Sequence, residues 1–172
     1  MSPSLRRGLL SGALAASVSA ICLFAYWLTH GSGPFWQDSG LFLAALRAGG
    51  GLLPPGYPVY LILGRPFVAL FEMLLPGRPF AEAGNMFSAV WASLAAGLTC
   101  LSILTLQRSG YRFFSSEPAR MEPASWSNWS GAWLAGVFTG LSYSLWFQAL
   151  TAEAYALNAF FTAAVLFLAI SL

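Results

Sequence analysis

Long uncharged apolar stretches alternate with short polar strings along this chain, and the stretches predict helices. Residues 9–28 form a run of 20 without a charge. At about 1.5 Å per helical residue such a run covers the roughly 30 Å hydrocarbon layer of a bilayer. Residues 85–106, 131–150 and 154–172 read the same way, which predicts four spans. The stretch 59–75 is apolar too, but it holds Arg65, Glu72 and Pro66, and Pro58 precedes it. A charge at the centre of a span costs about 2.5 to 3.5 kcal/mol, and an interior proline weakens the helix further. We therefore expect 59–75 to lie along the interface, with 41–48 as a second interfacial helix.

Charge orients the plan. Arg6 and Arg7 precede the first span and hold the N-terminus in the cytoplasm. Small residues at Ser17-Val18-Ser19-Ala20 would suit a cleaved leader, but the apolar run continues to Leu28, longer than a leader needs. The connection 107–130 carries Arg108, Arg112 and Arg120 and is expected in the cytoplasm. A spanning 59–75 would force it outside; an interfacial 59–75 returns it. Residues 29–83 then form one external loop, and Glu153 sits in a short external turn on the same side as Asp38. Arg47, Arg65 and Arg78 in that loop mean the rule is only partly obeyed.

Composition agrees with a membrane class. Hydrophobic residues make up 58% of the chain and charged ones 8%, with no lysine. That is too little charge to cover a soluble surface. A net charge of +2 without a basic patch excludes nucleic acid as a partner. Cys22 and Cys100 lie in apolar runs, spaced for neither a disulfide nor a metal. His30, just past the first span, reads as an interfacial polar tip rather than a ligand. The sequence shows no repeat, and 115–129 is a polar, proline-containing connection. The sequon Asn128-Trp129-Ser130 falls on the cytoplasmic side, where it carries no meaning. The chain stops inside an apolar run, and we expect it to be the N-terminal part of a longer protein.

Three polar strings carry the candidate chemistry: Trp36-Gln37-Asp38-Ser39-Gly40, Pro54-Pro55-Gly56-Tyr57-Pro58 and Ala152-Glu153-Ala154-Tyr155-Ala156-Leu157-Asn158. Carboxylates at a membrane edge are costly and are functional candidates for that reason. Asp38 suits two roles equally, N-cap of the helix that follows or proton acceptor. The proline-rich string is first a turn; Tyr57 and Tyr60 suit interfacial anchoring, and Pro55 and Tyr57 could shape a pocket wall. Glu153 is the sharper signal, with Asn158 expected nearly on its face and Tyr155 flanking.

Together with Asn85-Met86-Phe87-Ser88-Ala89 and Leu145-Trp146-Phe147-Gln148-Ala149, these strings resemble the transmembrane protein O-mannosyltransferase-like family, formerly a domain of unknown function, over residues 35–172. That family belongs to the C-type glycosyltransferase superfamily. The resemblance implies an all-α polytopic membrane enzyme that takes sugar, such as mannose, from a polyprenyl-phosphate donor. The acceptor would be a hydroxyl of a protein or glycan. Asp38 and Glu153 match its acidic residues in the first and second external loops, and juxtamembrane helices in the first loop are implied as well. Asp38 would be the general base; Glu153 would orient the acceptor or help hold a divalent metal, the only cofactor entertained. Arg47 and Arg65 are candidates for the leaving phosphate, and Tyr155 and Asn158 for substrate contact. Membrane lipid is a further partner, and a bacterial inner membrane the expected location. The chain departs from the family pattern at Leu41, Leu53 and Gly84, where Glu, His and Arg are usual. Those losses support a rival reading, a catalytically degenerate lipid-binding or assembly protein. A transporter is a third, disfavoured by the lack of repeated halves and paired broken helices.

Overall fold

The computed structural model describes residues 2–34, 38–50, 57–108 and 126–172. Its regular structure is helical throughout these residues: α1 (Pro3–Thr29), α2 (Ser39–Ala48), α3 (Pro58–Leu74), α4 (Phe80–Arg108), α5 (Trp126–Gly140), α6 (Tyr143–Ala149) and α7 (Tyr155–Ser171). Pro55, Leu53, Trp36, Gln37 and most of the 107–130 connection lie outside the described residues.

Local chemistry sets the helix ends. Ser2 caps α1, its hydroxyl accepting from the Leu5 N–H at 3.3 Å, with Pro3 at the start of the helix. Gly49 closes α2 in the left-handed conformation, φ 72°, that glycine adopts without a Cβ clash. The two expected interfacial helices form with nearly the expected bounds, as α2 and α3. Leu5–Thr29 and Phe80–Gln107 are long and apolar enough to cross a membrane, and the chain is a membrane protein.

The single helix expected over 131–150 is broken. α5 ends at Gly140 and α6 begins at Tyr143, so neither piece alone reaches across a bilayer. Backbone groups freed inside a membrane must find partners, and here they do. The Tyr26 hydroxyl donates to the Gly140 carbonyl at 2.6 Å, and the Ser142 hydroxyl donates to the Thr139 carbonyl at 2.7 Å. The Trp146 N–H then restarts the helix on the Ser142 carbonyl at 2.8 Å.

α4 is the axis of the bundle, and every other helix packs on it. Contacts between residues 30 and 82 and between 15 and 97 make α1 antiparallel to α4. Those pairing 88 with 153 and 91 with 160 make α7 parallel to it. Helices in lipid gain little from hydrophobicity and rely on close packing by small residues. Gly97 illustrates this: an added Cβ would lie 2.9 Å from the Ala15 carbonyl oxygen and against the Ser19 hydroxyl. Cys22 and Cys100 are buried free thiols in these seams, acting as small apolar residues. α3 meets α4 differently. Tyr60 and Phe67, two turns apart, both touch the Phe87 ring, at 5.3 and 5.4 Å between centroids. α3 therefore crosses α4 rather than running along it.

Because α1 is antiparallel and α7 parallel to α4, the loop after α1 and the turn before α7 lie at one end of the bundle. That end carries Asp38 and Glu153.

Candidate functional site

The first turns of α4 carry Glu82, Asn85 and Ser88 at three-residue spacing, all within 1% of full burial. Three apart on a helix means neighbouring positions on one face. Each ties down a different piece of chain. The Glu82 carboxylate meets His30 Nε2 at 2.9 Å and Arg78 Nη1 at 3.1 Å, both at Oε1. Asn85 Nδ2 donates to the carbonyls of Gly31 and Gly33 at 3.0 and 3.1 Å. Ser88 Oγ donates to the Glu153 carbonyl at 3.4 Å. The loop leading to Asp38 and the turn holding Glu153 are thereby fixed on one stripe.

His30 is consequently not the interfacial tip expected from the sequence. Its Nδ1 lies 2.6 Å from the Trp27 carbonyl oxygen, and Nε2 faces Glu82. Both ring nitrogens thus lie against oxygens of the protein, one on its own helix and one on α4.

Asp38 occupies the N-cap position of α2, where its carbonyl accepts from the N–H groups of Leu41 and Phe42 at 2.9 and 3.0 Å. Its side chain makes no capping hydrogen bond and is exposed. Of the two roles open to Asp38, side-chain capping is not taken up.

Glu153 is 2% exposed in the turn before α7. The Asp38 backbone N–H donates to its carboxylate, and Oε1 is buried without a hydrogen-bond partner among the described residues. Burial, and secondarily the Asp38 charge, push the Glu153 carboxyl above its ordinary value; the Asp38 N–H opposes them. The two acids thus come together from positions far apart in the chain.

The remaining candidates fall around this pair. Tyr57 precedes α3 in the left-handed region at φ 43°, a conformation uncommon for a bulky residue. Its ring lies 5.0 Å from Phe42, one turn along α2 from Asp38, at the rim of the pair. Arg47 is nine residues along α2 from Asp38, half a turn round, bonded to Glu72 at 3.1 Å and stacked over Phe80. Arg65 packs against Gly49, where an added Cβ would meet its Nη1 at 2.7 Å, placing its charge at the C-terminus of α2. Among the described residues neither arginine forms an ion pair with Asp38 or Glu153. Glu153 and Asn158 do not share a helical face, because Glu153 precedes the helix; it is buried and Asn158 exposed. Tyr155 instead lines a groove of about 650 Å³ with Ser142, Ser144 and Gln148.

Sequence reading overlooked Glu82 and passed over His30 and Tyr60. A carboxylate and an amide three apart at the head of an apolar helix were the available signal for the first. Among the described residues no group of three metal-ligating side chains converges, and the two acids alone offer an incomplete donor set.

An all-α membrane protein with two neighbouring acidic residues at one end of its bundle is the class these observations define. The chain belongs to the family described as Protein O-mannosyl-transferase TMEM260 N-terminal domain, which matches residues 38–172, from Asp38 through Glu153 and beyond. Searches of curated proteins and of solved structures return no match.

Replacing Glu153 tests its environment. A carboxyl held above its unfolded value of 4.5 favours the neutral form when folded. Its contribution to stability is therefore greatest below that pH and is lost as pH rises through the folded value. Glu153→Gln should unfold at a higher temperature than wild type at pH 7 to 8, and the gap should close as pH falls towards 4.5. A gap of the opposite sign, or one independent of pH, would contradict the buried, charge-repelled carboxyl.

Proposed function

We propose that the chain is the N-terminal part of a membrane glycosyltransferase of the C-type superfamily. It would move a sugar from a polyprenyl-phosphate donor to a hydroxyl of a protein or glycan at the outer membrane face. The convergence of Asp38 and Glu153 carries this reading, in a chain of the O-mannosyltransferase family. The acceptor oxygen attacks the anomeric carbon as Asp38 takes its proton. The bond between that carbon and the donor phosphate breaks, and polyprenyl phosphate leaves. Asp38 is suited to the task because its carboxylate is exposed, uncapped and held in place through the Glu153 contact. Glu153 acts behind it as a positioning residue.

The topology that goes with this reading has four crossings: α1, α4, α5 with α6, and α7. α2 and α3 lie along the outer face. Support comes from α1 and α4 meeting at His30 and Glu82, so that α2 and α3 begin and end at one side. Arg6 and Arg7 lie at the other end of the bundle, as does Arg108 at the end of α4.

Gly84 supports the non-catalytic rival as well as explaining itself. A Cβ there would run into Leu43 and stand 3.3 Å from the Ala152 Cβ, so the arginine usual in the family has no room. A lipid-binding or assembly role would tolerate that loss.

Two measurements separate the readings. In the full-length protein Asp38→Asn should lower sugar transfer by roughly two to four orders of magnitude, since an amide cannot accept the proton. Unchanged transfer would remove the general base and favour the rival. For the topology, cysteines at Gly40 and Tyr155, both exposed and both at the end of the bundle that carries the acids, are introduced in a background without Cys22 and Cys100. An impermeant thiol reagent should label both from outside; labelling of one only after permeabilisation would overturn the four-crossing plan.

A further inference from the structure

Tyr60 sits in the first turn of α3, 2% exposed, its ring between Phe42 at 5.0 Å and Phe87 at 5.3 Å. Phe42 is one turn along α2 from Asp38, and Phe87 neighbours Ser88, which holds the Glu153 carbonyl. The helix that follows Asp38 and the helix that holds the Glu153 turn therefore also aim this ring. A buried tyrosine hydroxyl ordinarily finds a partner, yet the Tyr60 hydroxyl has none among the described residues, and neither has Glu153 Oε1. Phenylalanine would fill the same space without burying a polar atom.

The two unpartnered atoms are complementary, since a phenol donates and a carboxylate oxygen accepts. The phenol also feels the carboxylate. Burial first, and the Glu153 charge second, push the Tyr60 phenol above its ordinary value and keep it a donor. A ligand hydroxyl, which donates once and accepts twice, matches the pair. Depth decides which hydroxyl. Asp38 is exposed and open to a macromolecular acceptor, whereas Tyr60 and Glu153 are almost fully buried and suit the smaller group.

We propose that Tyr60 and Glu153 form a sugar subsite, the phenol donating to and Glu153 Oε1 accepting from one hydroxyl of the donor sugar. This rests on the transferase reading and adds a specificity-determining residue to it. The subsite holds the sugar at its buried side while its anomeric carbon faces Asp38.

The test uses the full-length protein in membranes, with polyprenyl-phosphate mannose and its single-deoxy analogues as probes. Donor binding and sugar transfer are both read. Tyr60→Phe should weaken binding of the parent donor roughly three- to ten-fold. With one deoxy analogue the wild type and Tyr60→Phe should bind equally. Equal binding of the parent donor by both proteins would overturn the subsite, and so would the same loss with every analogue, which marks a packing defect. Should Tyr60→Phe fail to fold, Glu153→Gln is carried through the series. Loss erased by a single analogue sustains the proposal, and loss that no analogue erases ends it. Wild-type protein that binds donor but transfers nothing would instead sink the transferase reading and leave the subsite standing.

Discussion

The structure depends on a polar stripe at the head of its longest helix. Glu82, Asn85 and Ser88 are buried where α4 emerges from its apolar surroundings, and each bonds a segment that is not helical. Buried carboxylate, amide and hydroxyl groups are costly unless partnered, so the loop after α1 and the turn before α7 must dock on this stripe. Glu82 Oε2 and Asn85 Oδ1 have no hydrogen-bond partner among the described residues, and the stripe is thus not fully neutralised by its own contacts. Apolar packing alone would permit the helices to slide; the stripe sets their register. Asp38 and Glu153 inherit their meeting from it.

Glycine serves the same convergence from the other side. Gly84, between Glu82 and Asn85, leaves space that Leu43 of α2 enters and that Ala152 borders. α2 and the 151–154 turn can both approach α4 there because no side chain intervenes. A position without a side chain thus becomes a place where the two acid-bearing segments close on one another.

The helices were largely legible because hydrophobicity marks them. The apolar runs at 9–28 and 154–172 became α1 and α7, and the helices expected at 41–48 and 59–75 became α2 and α3. Reading failed where polar groups enter helices. α4 begins five residues before the expected 85, because Glu82 is buried in a helix that hydropathy would start later. The break after Gly140 was hidden because Tyr26, distant in sequence, supplies the hydroxyl that makes it tolerable. The acids themselves were legible as isolated charges beside spans. His30 and Glu82 were not, being 52 residues apart and ordinary when read alone. Tyr60 looked like an anchor because its neighbours in sequence are apolar; its lack of a partner is visible only in three dimensions.

The central claim is that Asp38 and Glu153 face one another at one end of the bundle. The most direct measurement is thiol cross-linking of Asp38→Cys with Glu153→Cys, in a background without Cys22 and Cys100, using a short bifunctional reagent in native membranes. The pair Asp38→Cys with Thr105→Cys, at the far end of α4, is the control. The account predicts rapid cross-linking of the first pair and none of the second. Equal behaviour of the two pairs, or cross-linking of the control alone, would contradict it.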